Sequence, residues 1–259
     1  MKVQEFTPPS LGARPSPYVD VDPSKKVTRL EMEIFIVNGI LPPHRNIAQI
    51  KDVLISKTTV YIVQELCGTK SLLDFYGDAD DRSARRVFKQ LVDVTHFIHQ
   101  YGVVHPALYG RRILFADSSY TDVKLIDFGS SHYNPSTATR VRDNFNPAHW
   151  FTGGELDTRY KRGWTPQEDI ASLGRILHNI LAGEEVDHFG FDEDYGREHP
   201  ANEKDFEILE DEFKPRVDVF DAQALNLLSI IGPSYFRNQA PLPRSLDQIL
   251  LHPWLAEPN

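Results

Sequence analysis

The sequence predicts an α+β fold with strands in its first part and long helices in its later part, and its length of 259 residues allows either one large domain or two lobes. Within residues 47–66, two short runs rich in β-branched and aromatic residues have the composition and length of strands. Later in the chain, apolar residues recur at helical spacing in three segments, 81–99, 165–183 and 222–231. Strands at one end of a chain and long helices at the other are typical of an α+β protein.

Length and composition bound the domain organisation and the compartment. The chain has 259 residues, of which 41% are hydrophobic, and this is enough for a sizeable core. The single cysteine, Cys67, excludes an internal disulfide framework, and the first 20 residues lack the apolar core of a signal peptide. No apolar run approaches the roughly 18 residues that a membrane span needs. We therefore expect a reduced cytoplasmic or nuclear compartment and no membrane partner.

Charge narrows the possible ligands. The formal net charge is −9 at pH 7, whereas contacts with nucleic-acid phosphates need a basic surface. We therefore expect no nucleic-acid partner.

The N-terminal segment differs in composition from the rest of the chain. Residues 1–27 contain five prolines and few periodic apolar residues, which predicts an extended or poorly ordered arm. An alternative is an arm that packs on the body and covers a groove.

The next segments predict a helix followed by a hairpin. Between residues 27 and 37, apolar side chains share one helical face after a candidate N-cap at Thr28. The β-rich runs 47–56 and 58–66 are separated by a polar turn, which indicates an antiparallel hairpin.

Capping signals and apolar spacing delimit several of the later helical segments. Residues 71–76 predict a short helix, and residues 81–99 predict a longer amphipathic one. At Thr165 the sequence T-P-Q-E forms a capping box, and Gly183 ends the apolar stripe that follows. Asp169 lies on that stripe, so we expect it to be buried and to need hydrogen-bond donors.

Residues 101–129 contain the motifs on which a functional interpretation depends. The first part reads Y-G-V-V-H-P-A-L-Y-G-R-R-I-L-F, and after a polar break the second part reads V-K-L-I-D-F-G. Two short strands joined by a tight turn would bring His105 close to Asp127.

These motifs resemble the catalytic loop, H-R-D-L-x-x-x-N, and the D-F-G turn of the eukaryotic protein kinases. A hinge-like run, D-F-G, a D-I-x-S-L-G helix and a terminal H-P-W-L occur in the family order across roughly residues 28–257. The resemblance implies a protein-kinase-like two-lobe fold. Its parts would be a proline-rich arm at 1–27, a reduced N-lobe of one helix and a short hairpin at 28–66, and a mainly helical C-lobe at 67–259.

The resemblance also shows that the catalytic positions depart from the family pattern. His105 matches the family His, but Pro106 stands at the Arg position and Ala107 at the Asp that accepts the substrate proton. Arg112 stands where the family Asn would hold a second magnesium ion, and a guanidinium has donors only. Asp127, the D-F-G aspartate, is intact and could hold one metal ion.

The nucleotide-binding positions are incomplete in the same comparison. The residues before Glu33 contain neither a glycine-rich loop nor the V-A-I-K strand lysine of the family. Glu33 matches the acidic partner of that lysine, and without the lysine we expect a solvated surface glutamate. Gln64 would be the gatekeeper, and Glu65 to Cys67 would form the hinge that contacts adenine if a nucleotide binds. We expect Cys67 to be a packed or partly exposed thiol and not a nucleophile.

Other positions are implied to be structural. Those that match the family's regulatory spine are Val37, Ile50, His105 and Phe128, anchored by Asp169. Gly129 completes the D-F-G turn, and Glu155, in place of the A-P-E glutamate, would pair with Arg244. In the family, the aspartate at 169 accepts backbone N–H groups from the catalytic loop, including the one at 106. Because Pro106 has no N–H, Asp169 needs another donor or the loop must change shape.

Two further segments are interpreted through charge. Residues 130–155 take the place of the kinase activation segment, but Pro106 replaces the arginine that would bind a phosphate there, so we expect no phosphorylation switch. Residues 184–212 carry thirteen Asp and Glu against one Arg and one Lys, which indicates a solvated insertion or a docking surface for a basic protein. A calcium loop starting at Asp192 would place its glycine one position early.

Together these losses predict a pseudokinase that binds proteins, as a scaffold or an allosteric partner of an active kinase, with no required cofactor. The competing hypothesis is an enzyme. It would be a weak ATP- and magnesium-dependent Ser/Thr kinase or another phosphoryl or nucleotidyl transferase, or a kinase whose first strands are missing from the sequence. A decaying domain with no specific role is a third hypothesis.

Overall fold

A computed structural model describes residues 2–5, 29–55, 59–143, 165–186, 215–232, 241–243 and 245–256 of the chain. In chain order, the strands are β1 (Lys2–Glu5), β2 (Ile50–Ile55), β3 (Thr59–Gln64), β4 (Val103–Val104), β5 (Ile113–Phe115), β6 (Val123–Leu125) and β7 (His132–Tyr133). The helices are α1 (Arg29–Ile34), α2 (Leu72–Phe75), α3 (Asp81–Gln100), α4 (Pro166–Ala182), α5 (Ala222–Ile231), α6 (Leu246–Leu250) and α7 (Pro253–Ala256).

The sheet of the first lobe has one strand more than the sequence predicted. The predicted hairpin is confirmed as β2 and β3, which pair antiparallel with Val53 opposite Ile62. The extra strand, β1, lies within the predicted arm and pairs antiparallel with β3, which places β3 in the centre of the sheet. A lone two-stranded hairpin is marginally stable in water, and β1 satisfies the backbone groups on the free edge of β3.

Helix α1 is followed without a break by a π-helical turn, Phe35–Ile40, so the helical segment ends later than the predicted Val37. Of the predicted apolar face, Leu30 and Val37 are buried and Ile34 is partly buried. Phe35 and Ile36, which are not on that face, are fully buried. The candidate cap Thr28 lies outside the described residues. Burial of this apolar face fixes α1 against the body of the protein.

Helices α3 and α4 begin where their capping signals predicted, and α4 ends at the predicted Gly183. Asp80 caps α3 by accepting a hydrogen bond from the backbone N–H of Ser83. The capping box of Thr165 and Glu168 starts α4, and Gly183, with φ +92°, ends it. Glycine tolerates this left-handed conformation at a helix end because it has no Cβ atom.

The terminal H-P-W-L motif closes the second lobe against α3. The Trp254 side chain is fully buried, and its Nε1–H donates to Asp81 Oδ1 over 3.1 Å. His252 Nε2 lies 3.0 Å from Asn226 Oδ1 on α5. These contacts join the C-terminal helices to α3 and α5.

Some sequence predictions fall outside the described residues, namely the Glu155–Arg244 ion pair and most of the acidic segment 184–212. Among the helices that the structure describes, none combines the length and the apolar character required to cross a membrane.

The packing of α4 on α5 yields a stability prediction. A Cβ atom at Gly174 would lie 1.7 Å from the Ile231 carbonyl oxygen, whereas one at Gly77 would meet only Gly183 O at 3.6 Å. We expect Gly174→Ala to lower the free energy of unfolding by about 1–3 kcal/mol or more, because backbone must move apart. Gly77→Ala, the matched control, should change it by less than about 0.5 kcal/mol. Urea unfolding measures both, and equal midpoints would contradict this helix packing.

Candidate functional site

The pairing of β5 with β6 brings the two central motifs together. Ile113 lies opposite Leu125 in this antiparallel pair, and the Ile126 N–H donates to the Arg112 carbonyl oxygen over 3.0 Å. Asp127, the next residue, adopts a left-handed backbone with φ +65°. The register of these two strands therefore sets Arg112 beside Asp127.

An ion pair joins these two side chains. Arg112 Nε lies 3.1 Å from Asp127 Oδ2, and the Arg112 side chain is only 12% exposed. The guanidinium also lies over the Tyr109 ring, 4.7 Å from its centroid, which adds a cation–π contact. A fixed positive charge of the protein thus neutralises the carboxylate that the sequence identified as a possible metal ligand.

This arrangement does not fit a magnesium ion. Magnesium prefers several oxygen ligands in octahedral geometry, and the side chain beside Asp127 has only hydrogen-bond donors. Among the described residues, no group of three or more His, Cys, Asp or Glu side chains is placed to hold a metal ion.

His105 is a buried, packed ring. It is 1% exposed, its ring meets the Phe128 ring edge to face with centroids 4.9 Å apart, and its Nε2 lies 3.3 Å from the Ile126 carbonyl oxygen. Burial lowers the pKa of His105, so the ring is neutral at pH 7 and its Nε2–H donates to Ile126. The sequence predicted that His105 lies close to Asp127. In the structure, His105 contacts the residues on either side of Asp127, namely Ile126 and Phe128.

Asp169, at the start of α4, anchors the loop after β4. Its carboxyl group is fully buried and accepts the His105 backbone N–H, with distances of 2.9 and 3.1 Å to its two oxygens. The His99 ring supplies a second contact, with Nε2 2.7 Å from Asp169 Oδ2. Pro106 has no N–H to donate to Asp169. The His99 side chain of α3 supplies another contact to the Asp169 carboxyl group.

Sequence reasoning did not assign His99. The available signal was its helical spacing, because it follows the buried Thr95 by four residues at the end of α3.

The position of the catalytic base holds no acceptor. Ala107 is 6% exposed, and its methyl group can neither accept nor donate a proton. Pro106 precedes it in the same turn.

Glu33 corrects an expectation from the sequence. We expected a solvated glutamate, but it is 2% exposed, and the Gln64 side-chain amide donates to its Oε1 over 2.8 Å. The physical reason is the position of α1, which packs on the turn Phe128–Ser130. A Cβ atom at Gly129 would approach the Arg29 carbonyl oxygen to 2.8 Å, so only glycine allows this close contact.

The hinge segment is tied to the strand that leads to Asp127. Lys124 Nζ lies 2.6 Å from Glu65 Oε1, and the Gln49 N–H donates to Glu65 Oε2 over 3.2 Å. Partial burial by itself would raise the pKa of Glu65, but these hydrogen bonds outweigh it and lower that pKa. Lys124 was not assigned from the sequence, because only strand pairing shows which charge it meets.

Cys67 is a partly buried thiol, with its Sγ 3.9 Å from the Glu65 carbonyl oxygen. Burial, and then the negative charge of Glu65, raise the pKa of Cys67 and keep the thiol protonated.

The four positions that match the regulatory spine are all buried. Val37 and Ile50 are 4% and 8% exposed and belong to the same apolar core as Phe128, on which His105 packs. Asp169 accepts a hydrogen bond from the His105 backbone N–H.

Comparisons with known proteins agree with this architecture. The family model described as the protein kinase domain matches residues 18–255. The chain is 28% identical over 232 residues to "Calcium-dependent protein kinase 24" of Arabidopsis thaliana, which covers 88% of this chain and 37% of that protein. It is also 28% identical over 231 residues to "Serine/threonine-protein kinase pim-2" of Danio rerio, covering 85% of this chain and 64% of that protein.

A third relative, "Hormonally up-regulated neu tumor-associated kinase" of Mus musculus, is 32% identical over 149 residues, which are 54% of this chain and 20% of that protein. The chain therefore spans less than two thirds of the length of each of these relatives.

The ion pair predicts how the site responds to a divalent cation. The natural chain should bind Mn²⁺ only weakly at Asp127, because the Arg112 charge repels a cation at this distance. Arg112→Asn supplies an oxygen ligand and removes the charge, so we expect Mn²⁺ affinity to rise about tenfold or more. Electron paramagnetic resonance of free Mn²⁺ measures this change.

The control is Arg112→Asn combined with Asp127→Asn, which should return Mn²⁺ affinity to that of the natural chain. Equal affinity of the natural chain and the single variant would contradict the blocking role of Arg112.

Burial of His105 predicts a pH-dependent stability. Because its pKa is lower in the folded chain than the ordinary 6.5, the unfolded chain binds the proton more readily. The free energy of unfolding should therefore fall as the pH drops below about 6.5. In His105→Gln this slope should be smaller, by up to about 1.4 kcal/mol per pH unit. Urea unfolding between pH 7.5 and 5.5 measures both slopes, and identical slopes would show that His105 does not carry the effect.

Proposed function

The chain belongs to the protein kinase family, and we propose that within this family it is a pseudokinase that acts by binding other proteins, as a scaffold or as an allosteric regulator of an active kinase. The observation that carries the proposal is the ion pair between Arg112 and Asp127. It places a cationic side chain, which cannot exchange, beside the carboxyl group that the family resemblance assigns to the catalytic metal.

The chemistry of phosphoryl transfer supports this proposal. Catalysis in the family depends on positioning and on neutralising charge at the phosphates, and loss of one such group costs about two or more orders of magnitude in rate. Here the base position is Ala107, and the second metal ligand is replaced by Arg112. The losses are not additive, but any residues placed ahead of Glu33 would leave both unchanged.

The retained core supports a role in binding. His105, Phe128 and Asp169 keep the interior of the kinase domain packed, although the groups needed for catalysis are replaced. A body of fixed shape can present surfaces to other proteins without turning over a substrate. The partners we propose are an active kinase, or a basic protein that binds the acidic segment 184–212 by charge complementarity.

A second candidate function is a weak ATP-dependent Ser/Thr kinase or a related phosphoryl or nucleotidyl transferase. It is favoured by the relatives, whose names describe protein kinases. It also requires Mg²⁺-ATP, so Asp127 would have to leave Arg112, and the hinge from Gln64 to Cys67 would have to hold adenine.

A phosphotransfer assay with thermal unfolding tests the proposal. With radiolabelled Mg²⁺-ATP and a generic Ser/Thr substrate, we expect no transfer above background and no shift in Tm. If the chain bound Mg²⁺-ATP, a concentration of about one hundred times the Kd would raise the free energy of unfolding by about 2.7 kcal/mol. This would raise Tm by a few degrees. Ala107→Asp should remain inactive, because Arg112 still pairs with Asp127.

The outcome against the proposal is specific. Transfer by the natural chain that disappears in Asp127→Asn, together with a magnesium-dependent rise in Tm, would establish the enzyme instead.

A further inference from the structure

We propose that Gln64 is a positioning residue whose side-chain amide holds Glu33 and so keeps helix α1 in place with no nucleotide bound. The inference deepens the proposed function, because a protein that acts by binding needs a fixed shape in the absence of a ligand. In the family resemblance, a strand lysine pairs with the glutamate at 33. Here an uncharged amide of the central strand β3 contacts the same carboxyl group.

The burial of this contact makes it consequential. Glu33 is 2% exposed, and the distance from Gln64 Nε2 to Glu33 Oε1 is 2.8 Å. A buried carboxyl group that loses a hydrogen-bond donor retains the cost of leaving water, so removal of the Gln64 amide penalises the docked position of α1. The donor and the acceptor lie 31 residues apart, on the sheet and on the helix, so this hydrogen bond joins two separate elements.

Two further contacts hold the segment 29–40 against the rest of the protein. At its N-terminal end, the Arg29 backbone lies against Gly129, where a Cβ atom would approach the Arg29 carbonyl oxygen to 2.8 Å. At the far end of the π-helical turn, Arg142 donates to the carbonyl oxygens of Asn38 and Leu41. The middle of the segment, at Glu33, is the part that Gln64 restrains.

The turn on which α1 rests follows an ion pair between two side chains of this chain. Arg112 pairs with Asp127, and the residues that follow Asp127 form the turn against α1. Arg112 thus restrains the turn, and Gln64 restrains the helix that packs on this turn. A partner that recognises the docked helix would find it equally available with and without nucleotide.

Hydrogen–deuterium exchange of the full chain tests the inference. In Gln64→Glu, two acceptors face each other, and we expect exchange in peptides from residues 29–40 to become at least tenfold faster. In the double variant Glu33→Gln with Gln64→Glu, the donor and the acceptor are exchanged, and we expect the rate to return to within about threefold of the natural chain. A merely structural effect of altering position 64 would not be reversed by this second substitution.

Val63→Ala is the matched control, because this neighbouring side chain is 38% exposed, and its exchange in residues 29–40 should match the natural chain. If Gln64→Glu unfolds globally, the double variant still decides, since only restoration of the hydrogen bond predicts its recovery. Unchanged exchange in Gln64→Glu, or a double variant as fast as the single one, would overturn the positioning role.

The same experiment separates this inference from the proposed function. Addition of Mg²⁺-ATP to the natural chain should leave exchange in residues 29–40 unchanged. Slower exchange with Mg²⁺-ATP would overturn the nucleotide-independent shape and support the enzyme. The phosphotransfer assay, in contrast, can fail or succeed without any change in the Gln64 variants.

Discussion

A single buried carboxyl group, that of Asp169, positions the centre of this protein. It accepts a hydrogen bond from the His105 backbone N–H and contacts the Nε2 atom of His99. These contacts connect the loop after β4 to helices α3 and α4. His105 then packs on Phe128, and the strands that follow set Arg112 beside Asp127. A buried carboxyl group without a partner is costly, so the contacts of Asp169 favour the observed position of the loop. They do so although Pro106 has no backbone N–H to donate.

The chain has the packed core of a protein kinase domain, but the residues at its catalytic positions differ from the family pattern. Packing needs shape and apolar surface, and the side chains of Val37, Ile50 and Phe128 provide both. Catalysis needs a base and exchangeable cations, whereas Ala107 has no acceptor and Arg112 is a cation that cannot leave. The residues that stabilise the core therefore differ from the positions that the family resemblance assigns to phosphate transfer, so the packing does not depend on the residue types at those positions.

The first lobe shows how context reverses an inference from a single residue. Glu33 has no matching strand lysine in the sequence, and exposure to solvent is the usual fate of a glutamate. The structure buries it instead, because α1 packs on the turn after Asp127 and the facing strand carries Gln64. The strand β1 has a similar origin: its pairing is decided by the open edge of β3 and not by its own pattern.

The sequence by itself determined the local elements and the departures from the kinase pattern. Capping at Thr165, the hairpin of β2 and β3, and the identities of Ala107 and Arg112 depend on neighbours in the chain or on residue type alone. Only the tertiary structure decided which polar side chains meet. The pairs formed by His99, Lys124 and Gln64 join residues 31 to 70 positions apart, and no local pattern encodes such contacts. They arise because strand register and helix packing bring distant side chains to one place, where burial then requires that each polar group find a partner.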